Sequence, residues 1–318
     1  MKLSNFQKFI LILLASVILF EVAALFAFHF TQNHETINIL LPKYAVIPAT
    51  YIQSSQIDFD LDTSQQIFKT LNPGTLTSKS VLVEELNSNR ILYTKNSDQK
   101  EYIASITKLI TAITAHSNFT NDRVIRTDSV STSVGDSNVQ LPNNTDYTIK
   151  DLLYALLMPS SNEAAYAFGN NLGYANFIDK MNLVGNAIGL KNSHFINPAG
   201  FDDKEKIGDK QLTNESTAED VAAFTKYFLK YDLFRDIAAT KQKTIYSTDG
   251  KSINLLSTNE LLDVVPGVTG VKTGTENLAG QCVVITYAKD GNNFLIILLH
   301  SNDRFKEARQ IIDALNTI

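Results

Sequence analysis

Tryptophan is absent from the 318 residues, and cysteine occurs once, at Cys282. A single cysteine rules out a disulfide framework and a cysteine-based zinc site. It lies in the apolar run Cys282-Val283-Val284-Ile285, which reads as a buried strand. Positive charge is also short: 28 Lys and Arg against 33 Asp and Glu give a net charge of −5. No basic stretch follows the first few residues, so nucleic acid is a poor partner. The histidines, His29, His34, His116, His194 and His300, include no pair with metal-ligand spacing, and no GxSxG elbow is present. Neither a metal centre nor a Ser-His-Asp triad is therefore expected, and no cofactor is expected. What remains is a chain 44% hydrophobic, long enough for one large domain or two modest ones.

One long apolar run is present. Phe9 to Phe30 spans 22 residues with Glu21 as its single charge, and a bilayer core needs about 20. Lys2 and Lys8 precede it, and no Lys or Arg follows until Lys43. This places a tail of residues 1–8 in the cytoplasm, an anchor at 9–30 and the remainder outside the cell membrane. A cleavable signal peptide would have its core at Ile10 to Phe20 and cleavage after Ala24. The apolar run continuing to Phe30 favours the uncleaved anchor. Residues 31–77 read as an extracytoplasmic spacer ending in the turn Asn72-Pro73-Gly74, and residues 78–318 as the main domain.

Within that domain, Ser80–Glu85 and Arg90–Thr94 read as a hairpin around Asn87-Ser88-Asn89. A helix is expected from Ser105 through His116, with Ile106, Leu109, Ile110 and Ile113 at helical spacing. Thr148 and Asp151 resemble a cap pair opening a helix through Leu157, which stops before Pro159. Another helix is expected over Ala175 to Ile188. Ser216-Thr217-Ala218-Glu219 is a capping-box pattern for a helix to about Leu229. Hairpins follow around Asp249-Gly250 and Asp290-Gly291-Asn292-Asn293, then a helix over Phe305 to Leu315. Strands, helices, antiparallel strands and a last helix make an α+β fold in which the first and last segments share a sheet.

Three short elements could carry chemistry. Ser105-Ile106-Thr107-Lys108 places a hydroxyl and an amine on one helix face, one turn apart. A serine needs a base, and a lysine can serve only when neutral. Burial and a second cation both lower its pKa, and Lys272 is the candidate cation. Ser160-Ser161-Asn162 follows an interrupted helix. There Ser160 could relay a proton and Asn162 could bind a substrate amide, although taken alone the trio reads as turn residues capping the next helix. Lys272-Thr273-Gly274 alternates as a strand, with Lys272 offering a cation to a carboxylate and Gly274 permitting close backbone approach. None is specific alone. Ser97-Asp98-Gln99-Lys100 also matches the first pattern, and Ser252-Ile253-Asn254 and Ser257-Thr258-Asn259 match the second. The Ser97 string has no apolar face, so its lysine should stay solvated and protonated.

In this order the three elements resemble the serine β-lactamases and penicillin-binding proteins. Further strings bring the resemblance to the low-molecular-weight D-alanyl-D-alanine carboxypeptidases of the peptidase S11 type, over about Ser80 to Ala314. They are Gly189-Leu190-Lys191-Asn192-Ser193-His194-Phe195, Asn197-Pro198-Ala199-Gly200-Phe201, Ser216-Thr217-Ala218-Glu219-Asp220 and Ala279-Gly280. The resemblance implies a DD-peptidase-like α+β fold, an antiparallel sheet flanked by helices with a helical subdomain. It also implies a peptidoglycan stem peptide as substrate and β-lactams as inhibitors. Ser105 would be the nucleophile, Lys108 the base and Ser160 a partner in protonating the leaving amine. Asn162, Lys272, Thr273, Gly274 and Thr275 would bind substrate, with the Ser105 and Thr275 N–H groups as oxyanion hole. DD-endopeptidase, β-lactamase with Glu163 as the water-positioning acid, and a weakly catalytic penicillin-binding wall module remain as alternatives. Family members often carry an aromatic or histidine and then threonine after KTG, where this chain has Thr275-Glu276. Many also carry a β-rich domain and an amphipathic anchor C-terminal to the catalytic region. The chain stops at Ile318, so the N-terminal segment is expected to replace that anchor.

Overall fold

The computed structural model describes residue 71 and residues 73–133, 138–202, 206–207, 210–211 and 213–317. The tail, the anchor and all but the last part of the spacer lie outside the described residues. Among the described residues, no helix is long and apolar enough to cross a membrane.

Five antiparallel strands form the main sheet: β1 (Ser80–Glu85), β2 (Arg90–Lys95), β3 (Val268–Glu276), β4 (Gly280–Lys289) and β5 (Asn292–Ser301). Their spatial order is β3-β4-β5-β1-β2, so the first hairpin joins the last strands, as the sequence suggests. Both faces of this sheet are covered. Val81, Val83, Val283, Ile285, Ile296 and Leu298 point to one side, where Ala308, Ile311, Ile312 and Leu315 of the final helix pack. Leu82, Cys282, Val284, Leu295, Ile297 and Leu299 point to the other, into the helical core. Side chains alternate between faces, and burial of both removes the polar positions. That is why the β4 and β5 sequences are continuous apolar runs. Asp290 and Gly291 both take positive φ, 51° and 80°, in the two-residue turn joining these strands.

The helices of more than four residues among the described residues are α1 (Lys108–Asn118), α2 (Ile149–Leu157), α3 (Asn162–Leu172), α4 (Tyr174–Ile188), α5 (Ala218–Phe228), α6 (Asp232–Ala239) and α7 (Arg304–Leu315). Every residue of α1 from Lys108 to Ala115 is buried, because α2, α4 and α5 pack around it. The cap pair at α2 forms as expected, the Thr148 hydroxyl accepting from Asp151 N at 3.1 Å. At α5 the cap is displaced by one residue. Thr217, not Ser216, caps the helix by accepting from Asp220 N (3.1 Å), and the Glu219 carboxylate accepts instead from the Ser97 hydroxyl (2.9 Å). At α1, Ser105 lies not in the α-helix but in a 3-10 turn, Ala104–Thr107, that precedes it.

Glu307 ties the chain entering β1 to α7. Its buried carboxylate accepts from the backbone N–H groups of Thr77 and Ser78 (3.1 Å each) and from the hydroxyls of Thr77, Ser78 and Ser301 (2.5, 2.6 and 2.7 Å). These bonds hold its pKa below the usual carboxylate value against the opposing effect of burial. A depressed carboxylate pKa contributes stability above the unfolded value, about 4.3, that is lost as pH falls through the native value. Glu307→Ala is expected to lower stability by about 2–4 kcal/mol at pH 7, and urea midpoints of variant and wild type should converge below about pH 4.

Candidate active site

The turn that carries Ser105 is held from two sides. Ala104 has φ +46°, a left-handed conformation unfavourable for a residue with a Cβ. On one side Gly200 lies so close that a Cβ there would sit 2.0 Å from the Ala104 carbonyl oxygen. On the other, a Cβ on Gly274 of β3 would sit 2.9 Å from the Ser105 nitrogen. Only glycine allows both approaches. The Gly200 loop is shaped by Asn197, whose Oδ1 accepts from the N–H groups of Ala199, Gly200 and Phe201 at 3.2, 2.7 and 3.2 Å. Asn214 and Thr111 tie the loop to the helical core, Asn214 Nδ2 donating to the Thr107 hydroxyl (2.9 Å) and the Thr111 hydroxyl to Pro198 O (2.6 Å).

This frame surrounds Lys108, which is 0% exposed. Its Nζ lies 2.7 Å from Ser105 Oγ, 2.8 Å from Asn162 Oδ1 and 2.8 Å from Ala199 O. The first two elements of the sequence thus meet at one amine. The third group around it, a backbone carbonyl, left no signal in residue identity. Burial lowers the Lys108 pKa to about 7, against the opposing pull of Glu276 and Glu163. Of the two causes expected from sequence, burial and the Lys272 cation, desolvation leads. Charge repulsion from Lys108 and Arg304 adds to burial in lowering the pKa of Lys272.

A cavity of about 240 Å3 opens above these groups. Ser105, Ser160, Asn162, Thr273, Gly274 and Thr275 line it, so six of the eight residues singled out from sequence share one wall system. Lys108 and Lys272 lie beneath. Lys272 is 1% exposed and donates to Thr273 O at 2.8 Å. Ser160 adopts φ +67° at the break between α2 and α3. The capping role that the trio suggested belongs to its neighbour Ser161, which accepts from Ala164 N at 3.1 Å.

Four further residues line the cavity: Asn138, Thr258, Glu276 and Arg304. Thr258 Oγ1 lies 2.5 Å from Thr273 Oγ1. It is the middle residue of a string that had matched the second element, and it reaches the site from the segment preceding β3. Arg304 donates to Gly274 O (2.7 Å) and to Thr275 Oγ1 (2.6 Å), and its buried Nε has no protein partner. Arg304, rather than Lys272, is therefore the cation at the wall. Its only sequence signal was its place at the start of the last helix.

The competing elements fall elsewhere. Ser97 donates to Glu219, and Lys100 is half exposed beside Glu215 (3.6 Å). Asn254 accepts from Thr244 (2.7 Å) on the exposed hairpin Gln242–Tyr246 with Ser252–Leu256. Glu163, the acid next to the second element, is buried at the start of α3, accepts from the Ser161 hydroxyl (2.9 Å), and is not among the cavity residues.

Comparison with known proteins agrees with this geometry. The family model described as D-alanyl-D-alanine carboxypeptidase, peptidase S11, matches residues 66–302. The chain is 30% identical over 237 residues to the D-alanyl-D-alanine carboxypeptidase DacF of Bacillus subtilis, covering 72% of this chain and 59% of that protein. It thus spans well under two thirds of the length of that relative. It is 31% identical over 218 residues to a D-alanyl-D-alanine endopeptidase of Pseudomonas aeruginosa, covering 66% of this chain and 67% of that one. The Streptomyces K15 DD-transpeptidase structure superposes with a TM-score of 0.70 at 26% identity, covering 77% of this chain and 98% of that one.

Lys108 can act as base only when neutral. The rate at which a penicillin acylates Ser105 should therefore rise with pH to a plateau above about 7. Stopped-flow acylation across pH 5–10 (about the range between free histidine and free lysine values) checks this, and a rise only near 10 would refute it. Ser97→Ala should leave the acylation rate unchanged in the same assay.

Proposed function

The chain belongs to the peptidase S11 family of D-alanyl-D-alanine carboxypeptidases, and from that premise we propose that it is a serine-type carboxypeptidase. Its reaction is removal of the terminal D-alanine from peptidoglycan stem peptides through an acyl-enzyme. The observation that carries the reading is the placement of Lys108 Nζ between Ser105 Oγ, Asn162 Oδ1 and Ala199 O. A neutral amine has two N–H donors and one lone pair. The two carbonyl oxygens can only accept, so they take the two N–H groups and leave the lone pair facing the Ser105 hydroxyl.

In this reading Ser105 Oγ attacks the carbonyl between the two D-alanines while its proton passes to Lys108. The developing oxyanion is held by the N–H groups of Ser105 and Thr275, where one such donor is typically worth about 2.7–4 kcal/mol. Ser160, with Lys272, passes a proton to the leaving amine and takes back the one held on Lys108, and the C–N bond breaks. Thr273, Thr275 and Arg304 hold the terminal carboxylate, and Asn162 links the base to the substrate amide. Water then cleaves the ester and restores Ser105. A β-lactam enters by the same route. Because peptidoglycan lies outside the membrane, the reading agrees with the Phe9 to Phe30 segment as an anchor that leaves the catalytic domain extracytoplasmic. Cleavage of a crosslink instead of a terminal residue would use the same groups, and the P. aeruginosa relative, named an endopeptidase, favours testing it.

Intact-mass spectrometry with a penicillin, run beside amino-acid analysis of a D-Ala-D-Ala-terminated peptide and a crosslinked muropeptide, tests the assignment. The expected result is a long-lived adduct on wild type, none on Ser105→Ala, and D-alanine release reduced by about 10^3-fold or more in the variant. Rapid conversion of the penicillin without a lasting adduct would point to a β-lactamase. Arg304→Leu should raise KM for the free-carboxylate peptide by about 10- to 100-fold, the worth of a charge-assisted hydrogen bond. It should leave the C-terminal amide of the same peptide little affected.

A further inference from the structure

The two threonines assigned to the terminal carboxylate each touch one further side chain at the cavity wall. Thr275 Oγ1 accepts from Arg304. A guanidinium can only donate, so the O–H of Thr275 is left free for a ligand. Thr273 Oγ1 lies 2.5 Å from Thr258 Oγ1, and in that pair either oxygen can be the donor. Thr273 lines the cavity and is otherwise buried. Which hydroxyl donates decides what Thr273 offers a substrate. If Thr273 gives its proton to Thr258, only lone pairs face the cavity, and these repel a carboxylate. If Thr258 donates, the Thr273 O–H is released.

The surroundings of Thr258 favour the second arrangement. Among the described residues, the other acceptor for its hydroxyl is Met158 O at 3.4 Å, beyond the usual O–H···O range. That oxygen already accepts from Thr258 N at 3.0 Å. An anion in the cavity strengthens the same choice. A chain from Thr258 through Thr273 to a carboxylate ends on a charge, and each bond polarises the next. The main chain carrying Thr258 is held without its hydroxyl. Beside the Thr258 N–H bond, Ser257 N donates to Lys241 O (2.9 Å) and Asn259 Nδ2 to Gly270 O of β3 (3.2 Å). The hydroxyl can therefore be removed with the wall still anchored.

We propose that Thr258 is a positioning residue for recognition of the substrate's terminal carboxylate. Its hydroxyl donates to Thr273 Oγ1 and so directs the Thr273 proton at the carboxylate, as Arg304 does for Thr275. This role rests on the DD-peptidase reading above.

Thr258→Val removes the hydroxyl at nearly constant volume, Thr258→Ser keeps it, and Thr273→Val removes the group through which it acts. These variants and the Thr258→Val, Thr273→Val double variant are assayed with a peptide ending in D-Ala-D-Ala and with its C-terminal amide. Acylation by a penicillin and by its carboxylate methyl ester is measured beside them, and thermal melting reports folding. Thr258→Val is expected to raise KM for the free-carboxylate peptide about three- to tenfold, near the worth of one hydrogen bond, with kcat changed less than about twofold. The amide and the ester should change less than about twofold, and Thr258→Ser should restore KM to within about twofold of wild type. In the Thr273→Val background, Thr258→Val should add nothing. No loss in Thr258→Val, an equal loss in both backgrounds, an equal loss on charged and neutral ligands, or failure of serine to rescue would each overturn the proposal. Hydrolysis of neither peptide by wild type would sink the peptidase reading instead, and the penicillin and its ester would still decide the role of Thr258.

Discussion

A lysine without access to water must satisfy its amine entirely with protein groups, and the position of those groups decides where its hydrogens and lone pair point. Around Lys108 they are two oxygens that can only accept and one hydroxyl that can donate. An ammonium could donate a third bond to the serine oxygen, so these oxygens accommodate either state, whereas only the neutral amine presents a lone pair there. Desolvation favours the neutral state, since a buried cation is costly, against the opposing pull of Glu276 and Glu163. Burial therefore sets the charge of Lys108, and the surrounding oxygens set the direction of its lone pair. They do so on the residue that begins α1, which is buried from Lys108 to Ala115.

The rest of the fold keeps the groups around that amine in place. Two residues of the site sit in left-handed backbone conformations although they carry side chains, Ala104 before Ser105 and Ser160 at the cavity wall. Such conformations cost of order 1–3 kcal/mol and persist only where their surroundings impose them. At Ala104 the surroundings are β3 and the Asn197–Phe201 loop, which approach so closely that glycine is required at 274 and 200. The sheet supports β3 by packing on both faces. The loop is held by Asn197, Asn214 and Thr111, three buried polar residues that use their hydrogen bonds on backbone groups and on the Thr107 hydroxyl.

Much of this could be read from the chain, for identifiable reasons. The hairpins were legible because Asp-Gly turns and apolar strands are local signals, and the α2 cap because Thr148 and Asp151 are three apart. The α5 cap was read one residue early: Ser216-x-x-Glu219 and Thr217-x-x-Asp220 both fit the pattern, and only tertiary contacts decide. Glu219 is drawn off by Ser97, while Asp220 also accepts from the Lys191 and Asn192 N–H groups at 3.3 and 2.7 Å. In the site, motifs found the residues whose identity matters and missed those whose contribution is positional. The Ala199 carbonyl could belong to any residue. Arg304 and Thr258 reach the cavity across the fold, 29 residues beyond Thr275 and 15 before Thr273. Burial and the Lys272 charge were both candidate causes of the Lys108 shift, and sequence gives no measure of burial, which is the leading one.

Burial is what leaves Lys108 largely neutral above about pH 7. The direct measurement is a 13C NMR titration of the folded protein with lysine labelled at the ε-carbon, the Lys108 resonance being assigned by its loss in Lys108→Arg. The expected midpoint is about 7. A midpoint near the free lysine value, about 10.4, would contradict it.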